Sequence, residues 1–226
     1  MKHVTFINPE MRRRHDSGVL MEDRRAELLE KRGEVIVLEK PENDILNFLS
    51  IAIPYASKFN IGRAYNMYMK QSQAEWVIFM DHDVLLVNPK WFEICRQAII
   101  QHGDKCGLFT CYTNRIGCPL QQAPGVDNKS DDINYHRYFA KKLYNNNLGR
   151  VLDLTKAKYF FSGMFIMTSR AAWEVTGGFK EGDFFHIDVD YCKKIRKCGL
   201  KTMLMQDLYV YHGYFREVLK PFFTKE

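Results

Sequence analysis

Short apolar runs alternate with helical periodicity along the first half of the chain. Runs typical of buried strands occur at 3–7, 35–38, 49–53, 76–80 and 107–111. Between them, apolar residues recur at helical spacing over 20–32, 61–70 and 91–102. Strands that alternate with helices of this length predict an α/β fold with a largely parallel sheet.

The second half of the chain is less regular. Residues 117–132 are rich in Pro, Gly, Asn and Asp, which predicts an exposed, mobile loop. Further helices are predicted at 133–146, 170–175 and 188–198, and further strands at 161–167, 201–205 and 208–211. The pattern contains neither an internal repeat nor a domain linker, so we expect one domain.

Two carboxylates end one of the predicted strands. The run 76–80 stops at Asp81-His82-Asp83, although ionised groups belong at the edge of a core only when they are paired or bind a metal. In parallel α/β sheets, ligands bind beyond the carboxyl ends of the strands. The triplet therefore indicates a site, with His82 packed or facing solvent rather than binding metal. A lone Asp-x-Asp is a weak motif, and a solvated turn is the alternative.

Composition changes this picture little. The 226 residues are 46% hydrophobic and 27% charged, which is ordinary for a soluble globular protein. The net charge of +6 suits an anionic ligand such as a nucleotide, and it permits contact with nucleic acid. On charge alone, a basic surface without a ligand fits equally well.

The cysteines indicate a reducing compartment. None of the six stands in a Cys-x-x-Cys pair, and the closest pairs, Cys106/Cys111 and Cys192/Cys198, are typical of small buried thiols. The sequence shows no signal-peptide pattern and no apolar run of the roughly 20 residues that a membrane span needs. We therefore expect a cytoplasmic protein without disulfides.

Four features follow one another in an order that is specific as a set. They are "NIGRAYN" (60–66) before Asp81-His82-Asp83, "SGMFIMTSRAAWEVTGGF" (162–179), "FFHIDVDYCKKIRKCGLK" (184–201) and "YVYHGY" (209–214). The series resembles the nucleotide-sugar glycosyltransferases of the GT-A fold, closest to the inverting family 2 type and its galactosyltransferase-like relatives. In style it is similar to compact bacterial and bacteriophage enzymes. The resemblance covers about residues 60–212.

The resemblance implies a Rossmann-like three-layer sandwich with a mostly parallel mixed central sheet. It also implies a nucleotide-binding half at 1–115, and an acceptor-binding half at 116–226 that includes the C-terminal tail. The family's usual opening "P-x-Y-N" is absent, and Asn8-Pro9 stands near that place in altered form.

Roles for individual residues follow from the same resemblance. Asp83 is implied as a direct ligand of Mn²⁺ or Mg²⁺, Asp81 as a contact to the ribose or to the metal's water shell, and His212 as the histidine that completes the metal site. An imidazole among oxygen ligands favours Mn²⁺. The alternative for His212 is a hydrogen-bonded histidine at a strand end.

Asp188 is implied as the base that takes the acceptor's proton, although Ile187 replaces the acid that usually precedes it. An enclosed carboxylate has the raised basicity this task requires. The remaining implied contacts are Asn8, Arg63, Asn66 and Gly163 on the donor side, and Trp173, Gly178, His186 and Asp190 on the acceptor side. Arg63 is equally typical of a solvated surface charge, Trp173 of a core residue, and Asp190 of a helix N-terminus.

The expected function is metal-dependent, inverting transfer of a hexosyl or pentosyl group from a nucleotide-sugar, with UDP-sugars favoured, to a glycan hydroxyl. The alternative acceptor is a hydroxymethylated pyrimidine of phage DNA, in the host cytoplasm. The basic clusters at 12–14, 141–142 and 193–197 can neutralise phosphates, and the base would have to be flipped out.

Two other classes stay open. A sugar-nucleotidyltransferase needs a Gly-rich basic loop after its first strand, and "INPEMRRRHDSG" matches that poorly. A catalytically silent binding module predicts that Asp83→Ala changes nothing. The aromatic and basic tail 213–223 suits a lid over the acceptor or a peripheral membrane contact. Nothing in the sequence indicates an oligomeric state.

Overall fold

The computed structural model describes residues 48–54, 60–182 and 186–214. Several sequence predictions lie outside these residues. They are the strands at 3–7 and 35–38, the helix at 20–32, the donor contact Asn8 and the tail beyond residue 214.

The described residues form an α/β structure, as predicted. The strands are β1 (Leu49–Ala52), β2 (Trp76–Met80), β3 (Val84–Leu85), β4 (Cys106–Thr113), β5 (Val151–Asp153), β6 (Phe165–Ser169) and β7 (Lys201–His212). The helices are α1 (Ile61–Gln71), α2 (Trp91–His102), α3 (Ile133–Asn147), α4 (Arg170–Thr176) and α5 (Ile187–Lys197), with one 3-10 turn at Pro119–Gln121. All five helices coincide with a predicted one to within a residue at each end.

The strands form one mixed sheet in the order β1-β2-β6-β4-β7-β3, and β5 also pairs with β7. Parallel pairing joins β1 to β2 and β4 to β7. The strand β6 runs antiparallel to both β2 and β4, and the short strands β3 and β5 run antiparallel to β7. The predicted mixed sheet is confirmed, with its parallel part confined to these two pairs among the described strands.

Helices cover both faces of the sheet, because successive side chains of a strand point to opposite faces. In β2, Val77 and Phe79 pack in one cluster with residues of α1 and α5. The intervening residues Trp76 and Ile78 pack with residues of α2 on the other face. All five residues of β2 are buried, as expected for a strand covered on both sides. The result is the predicted three-layer sandwich.

Several sequence predictions need correction. The strand predicted at 161–167 begins only at Phe165, because residues 163–164 form a turn before it. The strands predicted at 201–205 and 208–211 are one strand, β7, with an irregularity between them. The pattern missed β3 and β5, which have two and three residues and are too short for any periodicity to show. Cys198 is exposed, whereas Cys106, Cys111 and Cys192 are buried as predicted.

The predicted loop 117–132 is partly buried. Cys118, Gln121 and Ala123 are each less than 5% exposed. The 3-10 turn and a parallel bridge between Thr113 and Gln122 attach this segment to the end of β4. The composition of this segment predicts turns correctly, but it does not predict that some of the turn residues are buried.

Candidate metal and catalytic site

The carboxyl ends of β2 and β7 bring two carboxylates and an imidazole together. Asp81 and Asp83 follow β2, and His212 is the last residue of β7. One ligand atom from each of the three lies within 4.8 Å of the other two. Oxygens bound to Mg²⁺ at 2.0–2.1 Å are at most about 4.2 Å apart, so a small inward movement would place all three around one cation.

Backbone pairing fixes the separation between the two strand ends. Val84 pairs with His212 in the antiparallel ladder between β3 and β7. The amide of Gly213 donates to the carbonyl of Asp83 at 2.9 Å, and the amide of Asp81 donates to the carbonyl of Met164 at 3.1 Å. The position of Asp83 relative to His212 is therefore set by the register of β3 with β7.

The His212 imidazole is oriented for metal binding. Its Nδ1 lies 2.8 Å from the carbonyl oxygen of Arg115, and its Nε2 lies 3.4 Å from Oδ1 of Asp83. A carbonyl oxygen only accepts hydrogen bonds, so Nδ1 carries the proton, and in the neutral ring Nε2 carries the lone pair. Metal-binding histidines are commonly held in this way. Nε2 of His212 and Oδ1 of Asp83 then both present lone pairs across 3.4 Å, and they repel each other unless a proton or a cation lies between them.

Arg115 and Asn114 hold the backbone around His212. The guanidinium of Arg115 donates to the carbonyls of Asn128, Ser130 and Gly213 and to the Asp131 carboxylate. The side-chain oxygen of Asn114 accepts from the amide of His212 at 2.8 Å. Sequence reasoning missed both residues, although they directly follow β4 and the rule that sites lie at strand ends points to them.

The electrostatics of the cluster favour a cation. Burial raises the pKa of Asp81 above its usual range, and the charges of Asp83 and Asp188 raise it further, while His212 and His82 lower it. Crowded, partly desolvated carboxylates disfavour their own ionisation, and a divalent ion removes that penalty. Two carboxylates and one imidazole form a suitable donor set for Mn²⁺ or Mg²⁺. His82 between them is exposed, as predicted.

Asp188 lies in the first turn of α5, beside the turn that precedes β6. A side chain at Gly163 would contact the side chain of Asp188, with the nearest approach, to Cβ, at 3.4 Å. Burial raises the pKa of Asp188, and hydrogen bonds from the backbone of Val189 and Gly163 partly offset this. The structure therefore brings together Gly163 and Asp188. The carboxylate of Asp188 is half-buried, and this burial makes it more basic.

Gln121 fixes the turn that touches Asp188. Its side chain is completely buried and binds Ser162 in both directions, accepting from the Ser162 amide at 2.7 Å and donating to the Ser162 carbonyl at 3.1 Å. It also donates to the hydroxyl of Thr110 on β4 at 2.8 Å. No local sequence signal marks this residue, because its partner lies 41 positions away.

Tyr65 is a buried phenol on α1 that is affected by the charges of both Asp81 and Asp188. Its pKa is raised well above the usual range, first by burial and then by the negative charges of Asp81 and Asp188. Its ring stacks on Phe79 of β2, with the centroids 4.4 Å apart. The charges of Asp81 and Asp188 thus both act on one buried phenol. Tyr65 falls within the helix predicted at 61–70, and no sequence pattern marks it as part of a site.

The predicted residues Asn66, Trp173 and Gly178 form a separate cluster. The Asn66 side chain donates to the carbonyl of Phe179 and to the Glu181 carboxylate, and it accepts from the Trp173 indole and from the Phe179 amide. Gly178 has φ of 75°, and a side chain there would collide with Asn66 and Trp173. Both the oxygen and the nitrogen of the Asn66 side chain are therefore occupied, and their hydrogen bonds join α1 to α4 and to the segment that follows it.

The other predicted contacts lie at helix N-termini. Arg63 is exposed in the first turn of α1, where its backbone amide is capped by the Asn60 side chain. His186 is exposed and precedes α5 with φ of 66°, a left-handed conformation that is uncommon outside glycine. Asp190 forms an ion pair with Lys194 at 3.1 Å, which agrees with the alternative prediction of a helix N-terminal role.

In the part of the chain that the structure describes, no helix is both long and apolar enough to cross a bilayer.

Comparisons with known proteins found structures but no sequence relatives. No protein-family model matches the chain, and no curated protein matches it. The catalytic domain of Drosophila beta-1,4-galactosyltransferase 7, in complex with xylobiose, matches with 12% identity and a TM-score of 0.43 over 87% of this chain and 64% of that chain.

A mutant of the same Drosophila enzyme, in complex with manganese, UDP-Gal and xylobiose, matches with 14% identity and a TM-score of 0.44. That match covers 80% of this chain and 62% of the other, so the chain spans less than two thirds of the length of either structure. At these values the likeness assigns neither an activity nor a substrate to this chain.

Proposed function

We propose that this protein is a metal-dependent glycosyltransferase that moves a sugar from a nucleotide-sugar, with UDP-sugars favoured, to a hydroxyl of a glycan. The observation that carries the proposal is the convergence of Asp81, Asp83 and His212 at the ends of β2 and β7. The order of motifs in the sequence, which resembles GT-A glycosyltransferases, supports the same reading independently of the geometry.

The cluster suits the leaving group of this reaction. A divalent cation bound there would act as a Lewis acid that stabilises the charge developing on a departing nucleoside diphosphate. Asp83 and His212 supply ligand atoms from two strands in fixed register, and Asp81 lies beside them. The hydrogen bond from Nδ1 of His212 to the Arg115 carbonyl keeps Nε2 directed at the cluster. Among divalent ions, the imidazole favours Mn²⁺ over Mg²⁺.

Asp188 suits the role of general base. Its carboxylate is half-buried, and burial raises its pKa, which increases its affinity for the proton that an acceptor hydroxyl must lose. Because Gly163 beside Asp188 lacks a Cβ, a sugar could approach the backbone closely at this position. A base that acts directly on the acceptor goes with a single displacement, so the product anomer is inverted.

A thermal-unfolding screen tests the proposal. UDP-galactose, UDP-glucose and UDP-N-acetylglucosamine are each added with Mn²⁺ or with EDTA. A ligand that binds only the folded state stabilises it by about 2.7 kcal/mol at a hundredfold excess over Kd. We expect a Mn²⁺-dependent rise of Tm with at least one UDP-sugar, and loss of that rise in Asp83→Asn.

Asp104→Asn is the matched control, because this carboxylate is exposed and lies at the far end of α2. It should keep the full Mn²⁺-dependent shift. If no nucleotide-sugar raises Tm with Mn²⁺, or if Asp83→Asn behaves like Asp104→Asn, the proposed function is wrong.

A further inference from the structure

A cleft of about 480 Å³ lies between α3 and the region where β4 meets β7. Phe139, Lys142 and Asn146 line it from α3, and Tyr112, Arg150 and Gln206 line the opposite side. The volume falls in the range of about 300–1,000 Å³ that is typical of small-molecule sites. None of Asp81, Asp83, Asp188 and His212 lines this cleft.

An irregularity in β7 shapes one wall of the cleft. Residues 206–208 are inserted between the pairs Cys111↔Met205 and Tyr112↔Tyr209. The Gln206 amide donates to the Arg150 carbonyl at 2.9 Å, and the Gln206 side chain donates to the Tyr112 hydroxyl at 3.2 Å. Bulges of this kind are frequent next to functional sites, where they redirect a side chain.

A buried carboxylate holds the turn that carries Arg150. Asp207 is 4% exposed, burial raises its pKa, and its Oδ2 accepts from the Gly149 amide at 2.8 Å. Gly149 has φ of 69°, which glycine adopts without strain. Burying a carboxylate is costly, and the proposed transfer reaction does not use Asp207. Its contact with Gly149 gives it a role in placing Arg150 at the rim of the cleft.

The rim of the cleft carries two positive charges, on Lys142 and Arg150. Neither Lys142 nor Arg150 forms an ion pair with an acidic side chain in the described ranges, whereas Arg115, Lys194 and Lys201 do. The helix α3 contains Arg137, Lys141 and Lys142 and not a single Asp or Glu. Two unpaired cations at one small cleft attract an anionic group.

The remaining lining suits a sugar. The amides of Asn146 and Gln206 can exchange hydrogen bonds with hydroxyls, and the partly buried ring of Phe139 offers apolar surface to the C–H face of a pyranose. We propose that this cleft binds a saccharide that carries one anionic group, a phosphate or a carboxylate. The cleft is a second site, and the proposal does not depend on the transfer reaction at the metal cluster.

Titration calorimetry in EDTA tests the proposal with four probes: glucose 6-phosphate, glucuronate, glucose and inorganic phosphate. We expect at least one anionic sugar to bind about tenfold more tightly than both glucose and inorganic phosphate, because only it engages the cations and the amides together. Comparison of the two anionic sugars identifies which charged group the cleft prefers. Asp83→Asn should bind the same probe with unchanged Kd, which separates this site from the metal cluster.

Matched variants localise the binding. Lys142→Gln and Arg150→Gln should each weaken the preferred probe about tenfold or more, since each removes a charge-assisted hydrogen bond. Lys141→Gln is the control, because it is exposed on the same helix but outside the cleft lining. All three side chains are exposed, so these variants should fold normally.

Three results would overturn the proposal. The first is that neither anionic sugar binds more tightly than glucose and inorganic phosphate. The second is that the Lys142 and Arg150 variants bind as the unaltered protein does. The third is that a short DNA duplex binds more tightly than the sugars and is weakened equally by all three variants, which would indicate a diffuse basic face that contacts nucleic acid.

Discussion

The two halves of the candidate site are positioned in different ways. Asp83 and His212 lie in or beside paired strands, and the ladder between β3 and β7 sets their relative position. Asp188 lies in the first turn of a helix, against Gly163. The residue before that glycine, Ser162, is held by the side chain of Gln121, 41 positions away. Backbone ladders therefore place the metal cluster, and long-range side-chain hydrogen bonds place the implied base.

This difference has a consequence for mutations. A ladder of backbone hydrogen bonds survives most side-chain substitutions, so the metal cluster should lose function only when a ligand itself changes. The Asp188 side depends on single side chains that can be removed. The two halves should therefore be separable in experiments that measure binding and turnover independently.

The largest effect should come from Asp188→Asn. The substitution keeps the shape of the side chain but removes the base, and general base catalysis contributes about 10²–10⁴-fold. We expect kcat to fall by that factor while the Kd for the Mn²⁺–nucleotide complex stays unchanged, because the metal cluster is intact. Initial rates and calorimetry with the UDP-sugar identified by the thermal screen measure the two quantities.

Asp190→Asn is the comparison for this variant. It removes a carboxylate from the same helical turn, where its partner is Lys194 rather than the turn at Gly163. Its kcat should fall less than about tenfold, since losing an exposed or half-exposed ion pair costs about 0–1 kcal/mol. Equal kcat values for Asp188→Asn and the unaltered protein would remove Asp188 from the mechanism.

A smaller effect should come from Gln121→Leu. The substitution removes the side-chain partner of the half-buried Ser162 amide and carbonyl, which costs up to about 1–3 kcal/mol of stability. Because the turn at Gly163 is then loosened, we expect kcat to fall about tenfold while KM for the donor stays within about twofold. Steady-state kinetics well below the unfolding temperature of the variant measure both.

Gln122→Leu is the matched control for the Gln121 variant. It makes the same change one position along the same turn, where the side chain forms no hydrogen bond within the described parts of the chain. Its kinetics should equal those of the unaltered protein. If Gln121→Leu lowers only the Tm, Gln121 supports the fold without positioning Asp188.

Regular elements could be predicted from the sequence because their signals are local. The apolar run 76–80 and the helical periodicity of 61–70 and 91–102 reappear almost unchanged as β2, α1 and α2. The carboxylates at Asp81 and Asp83 were predicted as a site because charge at the end of a buried strand is costly without a function. The role of His212 was implied only by the family resemblance, and the structure places this residue at the end of β7.

The remaining parts of the site depend on contacts that no local pattern encodes. Gln121 lies in a segment whose composition indicates an exposed loop, yet its side chain is completely buried because its partners are Thr110 and Ser162. The irregularity at 206–208 has no local sequence signal either. The apolar runs on its two sides predict two separate strands instead of one strand with an insertion. Asn66 was predicted to contact the donor, but its four hydrogen bonds turn its amide inward.

Direct titration of Mn²⁺ into the protein, followed by calorimetry and by the electron paramagnetic resonance signal of free Mn²⁺, tests the central claim most directly. The unaltered protein should bind one Mn²⁺, and Asp83→Asn and His212→Leu should each weaken that binding more than about tenfold, while Asp104→Asn leaves it unchanged. Both loss variants should keep the fold, as judged by circular dichroism. Absence of saturable Mn²⁺ binding, or equal binding by all four proteins, would contradict the claim that Asp81, Asp83 and His212 share one cation.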